Sequence, residues 1–393
     1  MLNTDLSYYR CNGIDFGSKI DACIYSTTVN KPIQWMFNQD TFSKYPWHIE
    51  PSDSLDQLYD KRTRQLREKY DYIILSYSGG SDTNNILESF IRQGLHIDEI
   101  ITNHISEITK KSTVLDTEFK ESWNFAAEHE LQAVPRLKYI SEKLPKTKIT
   151  VLDVSNNVLS ELHASTDGDW VLHKNDHLSV GQLFRYNYFY FGNMKKQFDK
   201  NLKVAIIVGV DKPKTLISNV DNTSFYLFFN DTTANITTIN DFNQDYTNVT
   251  TELFYWSKDA TDIMCKQAHV VKRWLEKNPD KQRFWINTST YTRRKYHEKW
   301  MRNLIYTTWD STWFQTDKAV AWWNTEFDNW FRKSASFSNE REIWKRGIQH
   351  LVKTIPKYVY FTPSGMPDSL ITFRHDYLIG KIENSIEPKG IVI

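Results

Sequence analysis

The stretch that decides the fold is YDYIILSYSGGSDTNNILESFIRQG, which runs from Tyr70 to Gly94. It begins as a run of mainly apolar residues, as a buried strand does, and it continues after Gly80 with the spacing of an amphipathic helix. Two adjacent glycines and several small polar residues separate the two patterns. The stretch therefore predicts a strand that passes into a helix through a short polar turn.

Segments of both kinds recur along the chain. Strand patterns alternate with helical patterns over residues 70–215, which predicts a parallel sheet covered by helices. The strand segments are Tyr72–Ser76, Glu99–Asn103, Lys148–Val154 and Lys203–Gly209, and the helical segments between them are Asn84–Gln93, Glu118–Ala133 and Val180–Phe198. We therefore expect an α/β fold whose central domain is a doubly wound, mainly parallel sheet.

Two other regions flank this predicted domain. Residues 1–69 mix short strand-like runs with Gly, Asn and Pro breakers before an amphipathic helix, so they predict a small β-rich lead-in. Residues 216–393 begin with a strand-like Ser224–Phe229, typical of a hairpin, and continue as a mainly helical, aromatic-rich region. We expect that region to cap a substrate site on the sheet domain.

Composition limits the classes of function. The 393 residues carry 49 Lys and Arg against 48 Asp and Glu, so no overall positive charge attracts nucleic acid or membrane. Three isolated cysteines form no metal-binding motif, and no long apolar run or signal-peptide pattern is present. We expect a protein of the cytoplasm, with an oligomeric state that the composition leaves open.

The turn of the quoted stretch has the features of a phosphate site. In open α/β sheets, ligands bind beyond the carboxyl ends of the strands, where helix N-termini present unsatisfied N–H groups. Gly79 and Gly80 allow the backbone to approach an anion closely, and the hydroxyl groups of Ser78, Ser81 and Thr83 can donate hydrogen bonds. An ordinary glycine-containing turn between a strand and a helix is the alternative.

The motif in this turn differs from the phosphate loops G-x-x-x-x-G-K-[ST] and G-x-G-x-x-G. It matches S-G-G-x-D-[ST], with Asp82 as its acidic residue, over Ser78–Thr83. Placed between a strand and a helix, it resembles the PP-loop of the adenine nucleotide alpha hydrolase superfamily, also called N-type ATP pyrophosphatases. The resemblance implies a Rossmann-like sheet of the PP-loop type that binds ATP and Mg²⁺.

By position in the motif, the resemblance implies a role for each residue. The phosphates of ATP would contact Ser78, Gly79, Gly80, Ser81 and Thr83. The carboxylate of Asp82 would bind the magnesium ion, because hard cations prefer oxygen ligands. Adenine would lie against the end of the second strand, at Thr102, Asn103 and His104.

A second glycine at a strand end is followed by cationic residues. Gly209 follows the last predicted strand and precedes Lys212 and Lys214. In the superfamily this strand end often carries a phosphate-facing glycine and basic residues. The resemblance therefore implies that Gly209 contacts the nucleotide and that both lysines, with Asp82, take part in catalysis. The alternative is a solvated basic turn.

The resemblance also implies a reaction. PP-loop enzymes cleave ATP between its α and β phosphates, transfer AMP to a substrate oxygen and release pyrophosphate. The lack of paired cysteines disfavours sulfur transfer, and Leu2 stands where glutamine-dependent asparagine synthetases have a nucleophilic cysteine. A nitrogen nucleophile that displaces AMP, as in a ligase or an amidating enzyme, is the expected chemistry. The composition is similar to that of PP-loop proteins of large bacteriophages, which would place the protein in the host cytoplasm.

Two other functions fit the same sequence. The loop could hold a nucleotide for structure or regulation, without turnover. Alternatively, the run from Arg293 to Arg302, which interleaves cations with aromatic residues, could present a surface to RNA or DNA in a modifying enzyme. For the adenylating enzyme, we expect the acceptor to be a small molecule or a nucleotide, such as a modified base or a small carboxylate.

Overall fold

The quoted stretch folds into a strand followed by a helix, as its pattern predicts. A computed structural model of the protein describes residues 7–104, 129–153, 155–156, 201–231, 248–287, 300–310, 338–361 and 367–383. The strands within these residues are β1 (Ser7–Cys11), β2 (Ile14–Phe16), β3 (Ile33–Phe37), β4 (Tyr72–Ser76), β5 (Glu99–His104), β6 (Lys148–Asp153), β7 (Val204–Val208), β8 (Lys214–Ile217), β9 (Ser224–Asn230), β10 (Val249–Leu253), β11 (Val359–Phe361), β12 (Pro367–Leu370) and β13 (Arg374–Lys381). The α-helices are α1 (Lys19–Val29), α2 (Gln39–Phe42), α3 (Leu55–Lys69), α4 (Ser81–Arg92), α5 (Val134–Lys143), α6 (Thr261–Glu276), α7 (Pro279–Asn287) and α8 (Ser338–Thr354).

The central sheet contains five parallel strands in the order β10-β7-β4-β5-β6. The predicted strand segments are present as β4, β5, β6 and β7, which confirms the α/β fold class. The prediction omitted β10, so the sheet extends past the predicted boundary at residue 215. The sequence of β10 is VTTEL, and its threonines and glutamate do not have the apolar pattern that predicts a buried strand. The carboxylate of Glu252 is tolerated there because the guanidinium of Arg62 in α3 lies 2.7 Å from it.

The strand order reverses between β4 and β7, and the carboxyl ends of these two strands border the crevice expected of an open α/β sheet. From β4 the chain continues to β5 and β6 on one side, and β7 and β10 then lie on the other side. Ligands of open α/β sheets bind outside the carboxyl ends of the strands at the point where the strand order reverses in this way. The segments that follow Ser76 and Val208 therefore meet where a ligand is expected.

Burial explains why the central strand forms where it does. Ile73, Ile74 and Leu75 of β4 are at most 1% exposed, as expected for a parallel strand within a sheet. Full burial of each such side chain stabilises the fold by about 1.5–3 kcal/mol. The following helix begins at Ser81, three residues before the predicted start at Asn84, because the turn is shorter than the polar run suggests.

The second predicted helix, Glu118–Ala133, differs from the observed structure. Residues 118–128 lie outside the described part of the chain, a π-helical turn spans His129–Ala133, and α5 continues from there. The prediction ended at Ala133 because Val134-Pro135 reads as a break. Proline is tolerated in the first turn of a helix, where its missing N–H needs no partner. The predicted helix Val180–Phe198 lies outside the described residues.

The flanking regions contribute antiparallel sheets. The lead-in forms the sheet β2-β1-β3, and the predicted hairpin strand is β9, which lies between β8 and β13 in a second sheet. The C-terminal region thus supplies strands, β11 to β13, as well as helices. None of the described helices is long and apolar enough to cross a membrane.

Buried contacts join the two antiparallel sheets to each other. The Lys19 ammonium lies 2.8 Å from the carboxylate of Asp231, and both side chains are at most 1% exposed. The hydroxyl of Tyr9 donates to the same carboxylate at 3.0 Å. An aromatic cluster spans the lead-in, β9, β13 and the residues after β10; its members are Trp35, Phe37, Phe42, Trp47, Phe229, Trp256 and Tyr377. Aromatic pairs of this kind add stability beyond their burial.

Candidate functional site

The turn between β4 and α4 holds its two glycines in different conformations. Gly79 has a φ of +76°, which residues with a side chain rarely adopt, whereas Gly80 is extended and forms the N-cap of α4. Because Gly80 has no side chain, it provides no side-chain cap for the N–H groups of the first turn. These groups and the positive end of the helix dipole make the start of α4 suitable for an anion.

Asn84 fixes the turn from within α4. Its Nδ2 donates to the carbonyl oxygens of Gly79 and Gly80 at 2.8 and 3.1 Å, and its Oδ1 accepts from the Tyr77 hydroxyl at 2.7 Å. The Thr83 hydroxyl also donates to the Gly80 carbonyl, at 3.1 Å. The carbonyl oxygens of the turn are therefore engaged by α4, so they do not present negative charge to an anion in the crevice.

Two close contacts require glycine at this site. A Cβ atom on Gly79 would lie 2.6 Å from the backbone nitrogen of Ala133, and a Cβ atom on Gly209 would lie 2.8 Å from Cγ2 of Thr83. Both distances are shorter than side chains tolerate, so the π-helical turn packs directly on the glycine turn, and the segment after β7 packs directly on α4. The structure thus gives Gly209 a packing role beside Thr83, in addition to the nucleotide contact that the sequence predicts.

Lys212 joins the two segments at the crevice. Its Nζ lies 2.6 Å from Oδ2 of Asp82 and 3.4 Å from Oγ of Ser81, and its side chain is only 5% exposed. The ammonium is therefore held at the first turn of α4. The structure in this way brings together two predicted site residues that are 130 positions apart in the chain.

Lys214 occupies a different position. It is the first residue of β8, and its Nζ lies 3.3 Å from Oδ2 of Asp211 and 3.5 Å from Oδ1 of Asn230. Asp211 also lies 4.0 Å from Nζ of Lys212, so the two lysines flank one carboxylate. The described contacts therefore place Lys212 beside Asp82 at the glycine turn, whereas Lys214 lies on the other side of Asp211.

The end of β5 carries a pair of stacked imidazoles. The rings of His104 and His129 have centroids 4.5 Å apart and planes inclined by 16°, and Nδ1 of His129 lies 3.4 Å from the hydroxyl of Thr102. Asp153 at the end of β6 lies 3.9 Å from Nδ1 of His104. Asn103 lies on β5 between the two predicted residues. The structure thus groups Thr102 and His104 around His129, which no pattern in the sequence singled out.

His129 is uncharged at neutral pH. Burial lowers its pKa to about 4, and the neighbouring His104 shifts the pKa in the same direction. The nitrogens of the neutral ring can accept or donate hydrogen bonds according to the tautomer. His129 begins the π-helical turn that ends at Ala133, which contacts Gly79, so one helical turn connects the stacked imidazoles to the glycine turn.

Two buried tyrosines complete the surroundings of Asp82. The Tyr306 hydroxyl donates to Oδ1 of Asp82, and the Tyr255 hydroxyl donates to the backbone carbonyl of Asp82 at 2.9 Å. Burial raises the pKa of both phenols far above the ordinary value, so both remain protonated donors. Spacing in the sequence could not reveal these tyrosines, because they lie 173 and 224 positions from Asp82.

A magnesium ion at Asp82 would need oxygen ligands from the nucleotide. Among the described residues, no three His, Cys, Asp or Glu side chains are grouped so as to hold a metal ion. Mg²⁺ is usually bound through one or two carboxylates together with phosphate oxygens and water. The Asp82 carboxylate, which is 17% exposed, is compatible with such a site.

The predicted nucleic-acid surface is described only at its C-terminal end, because residues 291–299 lie outside the described part of the chain. Trp300 packs against Trp274 and Trp285, with ring centroids 5.4 and 6.1 Å apart, and Met301 is fully buried. The Arg302 guanidinium lies over the ring of Trp309. At this end of the run, the tryptophan ring therefore packs against other tryptophans of the fold.

No protein-family model and no curated protein matches the chain. Its function must therefore be inferred from the chemistry of the crevice. That chemistry consists of a glycine turn at a helix N-terminus, a buried ion pair and a pair of stacked histidines at the end of the neighbouring strand.

Replacement of Gly79 by alanine should destabilise the turn more than the same change at another left-handed glycine. The new Cβ would meet Ala133 and would also lie at positive φ, so we expect the free energy of unfolding to fall by about 3 kcal/mol. Gly94→Ala is the matched control, because Gly94 has a φ of +61° but no atom within 4 Å of its Cβ position. We expect a loss of about 1 kcal/mol there. Urea denaturation measures both; equal losses would contradict the close contact.

Stability should decrease in acid through His129, whose ring faces His104, Asp153 and Thr102. A histidine in the unfolded chain has a pKa near 6.5, whereas that of His129 is about 4, so the unfolded chain binds the proton more tightly. The contribution of His129 to stability should be complete above pH 6.5 and should decline by about 2–3 kcal/mol as the pH falls to 4. In urea denaturation, His129→Gln should remove this part of the pH dependence. An unchanged dependence in the variant would show that another group titrates.

Proposed function

We propose that the protein is an ATP-dependent adenylating enzyme of the PP-loop type. The observation that carries this proposal is the 2.6 Å ion pair between Asp82 and Lys212, which lies at the strand-order reversal and at the first turn of α4. A buried ammonium in this place can neutralise phosphate, and the carboxylate can hold the cation that accompanies ATP. A turn that serves only structure does not need such a pair, since apolar residues stabilise an interior as well as buried ions do.

The nucleotide would occupy the crevice between the ends of β4 and β7. Its phosphates would bind the N–H groups at the start of α4 and the hydroxyl groups of the turn. Its adenine would lie toward Thr102, Asn103 and His104, where the stacked imidazoles present a flat ring surface. This arrangement fits the rule that ligands of open α/β sheets lie across the ends of the strands.

Mg²⁺ would be held by Asp82 together with phosphate oxygens, and when bound it offsets the charge of the phosphates and orients them. The site suits this ion because its carboxylate is partly exposed and lies at a helix N-terminus where phosphate can bind. Since the described residues offer no further acidic ligand cluster, binding of the cation should depend on the nucleotide.

The proposed reaction consists of two displacements. A substrate oxygen attacks the α-phosphorus of ATP, the bond from that phosphorus to the bridging oxygen breaks, and the electron pair leaves with pyrophosphate. A nitrogen nucleophile then bonds to the activated substrate atom, and AMP departs with the oxygen that attached it. Little covalent work falls to the protein, which positions the reactants and stabilises charge. Lys212 would stabilise the negative charge on the departing pyrophosphate.

The ion pair with Asp82 keeps Lys212 ready for this role. A buried ammonium without a partner is strongly unfavourable, so the carboxylate neutralises it while no phosphate is bound. When phosphate enters the crevice, Lys212 can exchange the carboxylate for phosphate oxygens, and Asp82 can turn to the cation. Both charges thus have a partner before and after nucleotide binding.

A nucleotide-binding protein without turnover is the second candidate. The observation that favours it is that both carboxylate oxygens of Asp82 have protein partners, Lys212 at Oδ2 and Tyr306 at Oδ1. A protein that only senses a nucleotide could use this network for regulation. An enzyme that modifies RNA or DNA through Arg293–Arg302 gains no support from the packing of Trp300.

Release of AMP together with pyrophosphate would distinguish adenylation from binding. Purified protein incubated with Mg-ATP and a cell extract as the source of acceptor should form both products. Asp82→Asn and Lys212→Met should each lower the rate by about 100-fold, because the first removes the charge that holds the cation and the second removes the charge that stabilises the departing pyrophosphate. Lys272→Met, which breaks an ion pair with Glu276 on α6, is the control and should leave the rate unchanged. Formation of ADP and phosphate, or full activity of Asp82→Asn, would contradict the proposal.

A further inference from the structure

The contact between Tyr306 and Asp82 links the C-terminal half of the chain to the glycine turn. Tyr306 follows a helical segment, residues 300–305, and its hydroxyl donates to Oδ1 of Asp82. Lys212 occupies the other oxygen of the same carboxylate, at 2.6 Å. Asp82, which the proposed function assigns to the cation, therefore also binds the segment that contains Tyr306.

Other contacts show how that segment is held. The Tyr59 hydroxyl of α3 donates to the carbonyl of Ile305 at 2.7 Å, and the Thr307 hydroxyl donates to Asp56 at 2.5 Å. The ring of Tyr306 lies 5.9 Å from that of Tyr255, whose hydroxyl donates to the backbone carbonyl of Asp82 in α4. Residues 300–307 are thus docked on α3 and on the start of α4, and the hydrogen bonds to Asp82 and Asp56 are both made to carboxylates.

Nucleotide binding would change what Asp82 offers to Tyr306. A carboxylate oxygen that ligates a cation is a poorer hydrogen-bond acceptor, and hydrogen bonds to an ionised carboxylate are about twice as strong as neutral ones. Loss of this acceptor would remove the side-chain hydrogen bond that attaches residues 300–307 to Asp82. Segments that are ordered by a few such bonds switch between docked and released states in many nucleotide-binding proteins.

From these contacts we infer that Tyr306 couples nucleotide binding to the C-terminal half of the protein. Binding of a magnesium nucleotide draws the Asp82 carboxylate toward the cation and away from Tyr306, which weakens the attachment of residues 300–307 to the glycine turn while the core packing of Met301 and Ile305 persists. This inference rests on the proposed function, because it requires a nucleotide in the crevice. It adds a regulatory contact through which the nucleotide site and residues 300–307 affect each other.

The coupling can be measured by hydrogen–deuterium exchange and calorimetry on the full chain, with Mg²⁺ and α,β-methylene-ATP as the probe. In the wild-type protein, the probe should increase amide exchange in residues 300–307. Tyr306→Phe should show fast exchange there without the probe and no further response to it. Because the nucleotide no longer competes with the phenol, the variant should bind the probe about tenfold more tightly, which is within the usual range of coupling between sites.

Thr307→Val is the matched control, since it removes a bond of the same segment that does not involve Asp82. It should keep the response of residues 300–307 to the probe, and thermal unfolding should show that both variants are folded. Binding by the wild-type protein with unchanged or slowed exchange in this segment, or with equal affinity in Tyr306→Phe, would overturn the inference and leave the proposed function standing. Absence of binding in every variant would overturn both.

Discussion

At the carboxyl ends of β4 and β7, two glycines allow the neighbouring segments to pack closely against them. Gly79 lies against Ala133, and Gly209 lies against Thr83, at distances that exclude even a methyl group. This close packing sets the spacing between the first turn of α4 and the segment that carries Lys212. The ion pair with Asp82 and the place proposed for an anion both depend on it.

The site is assembled from parts of the chain that are far apart. Lys212 follows β7, Tyr255 follows β10, and Tyr306 comes from the C-terminal half, yet all three contact Asp82. Helix α3 stabilises the neighbouring strand β10. Its residue Arg62 lies 2.7 Å from Glu252 and neutralises that carboxylate, which allows a charged residue in a buried strand. Such a construction explains how a change in the partners of one carboxylate can reach distant elements.

Much of the fold and part of the site could be predicted from the sequence. Strands β4 and β7 are apolar runs bounded by polar turns, and the glycines with Asp82 and Lys212 follow them directly. Strand β10 was missed because its side chains are mostly polar, and α5 was missed because Pro135 is tolerated at a helix start. His129 and Tyr306 could not be found in this way, because their roles arise from tertiary contacts with residues such as Thr102 and Asp82.

The most direct test of the central claim is a crystal structure of the protein with Mg²⁺ and α,β-methylene-ATP. The proposed chemistry requires the triphosphate to lie on the backbone N–H groups of Ser78–Thr83, with Lys212 Nζ at hydrogen-bond distance, about 3 Å, from a phosphate oxygen. A nucleotide bound at another place, or an empty crevice at saturating concentrations of the analogue, would contradict the claim that this turn binds ATP.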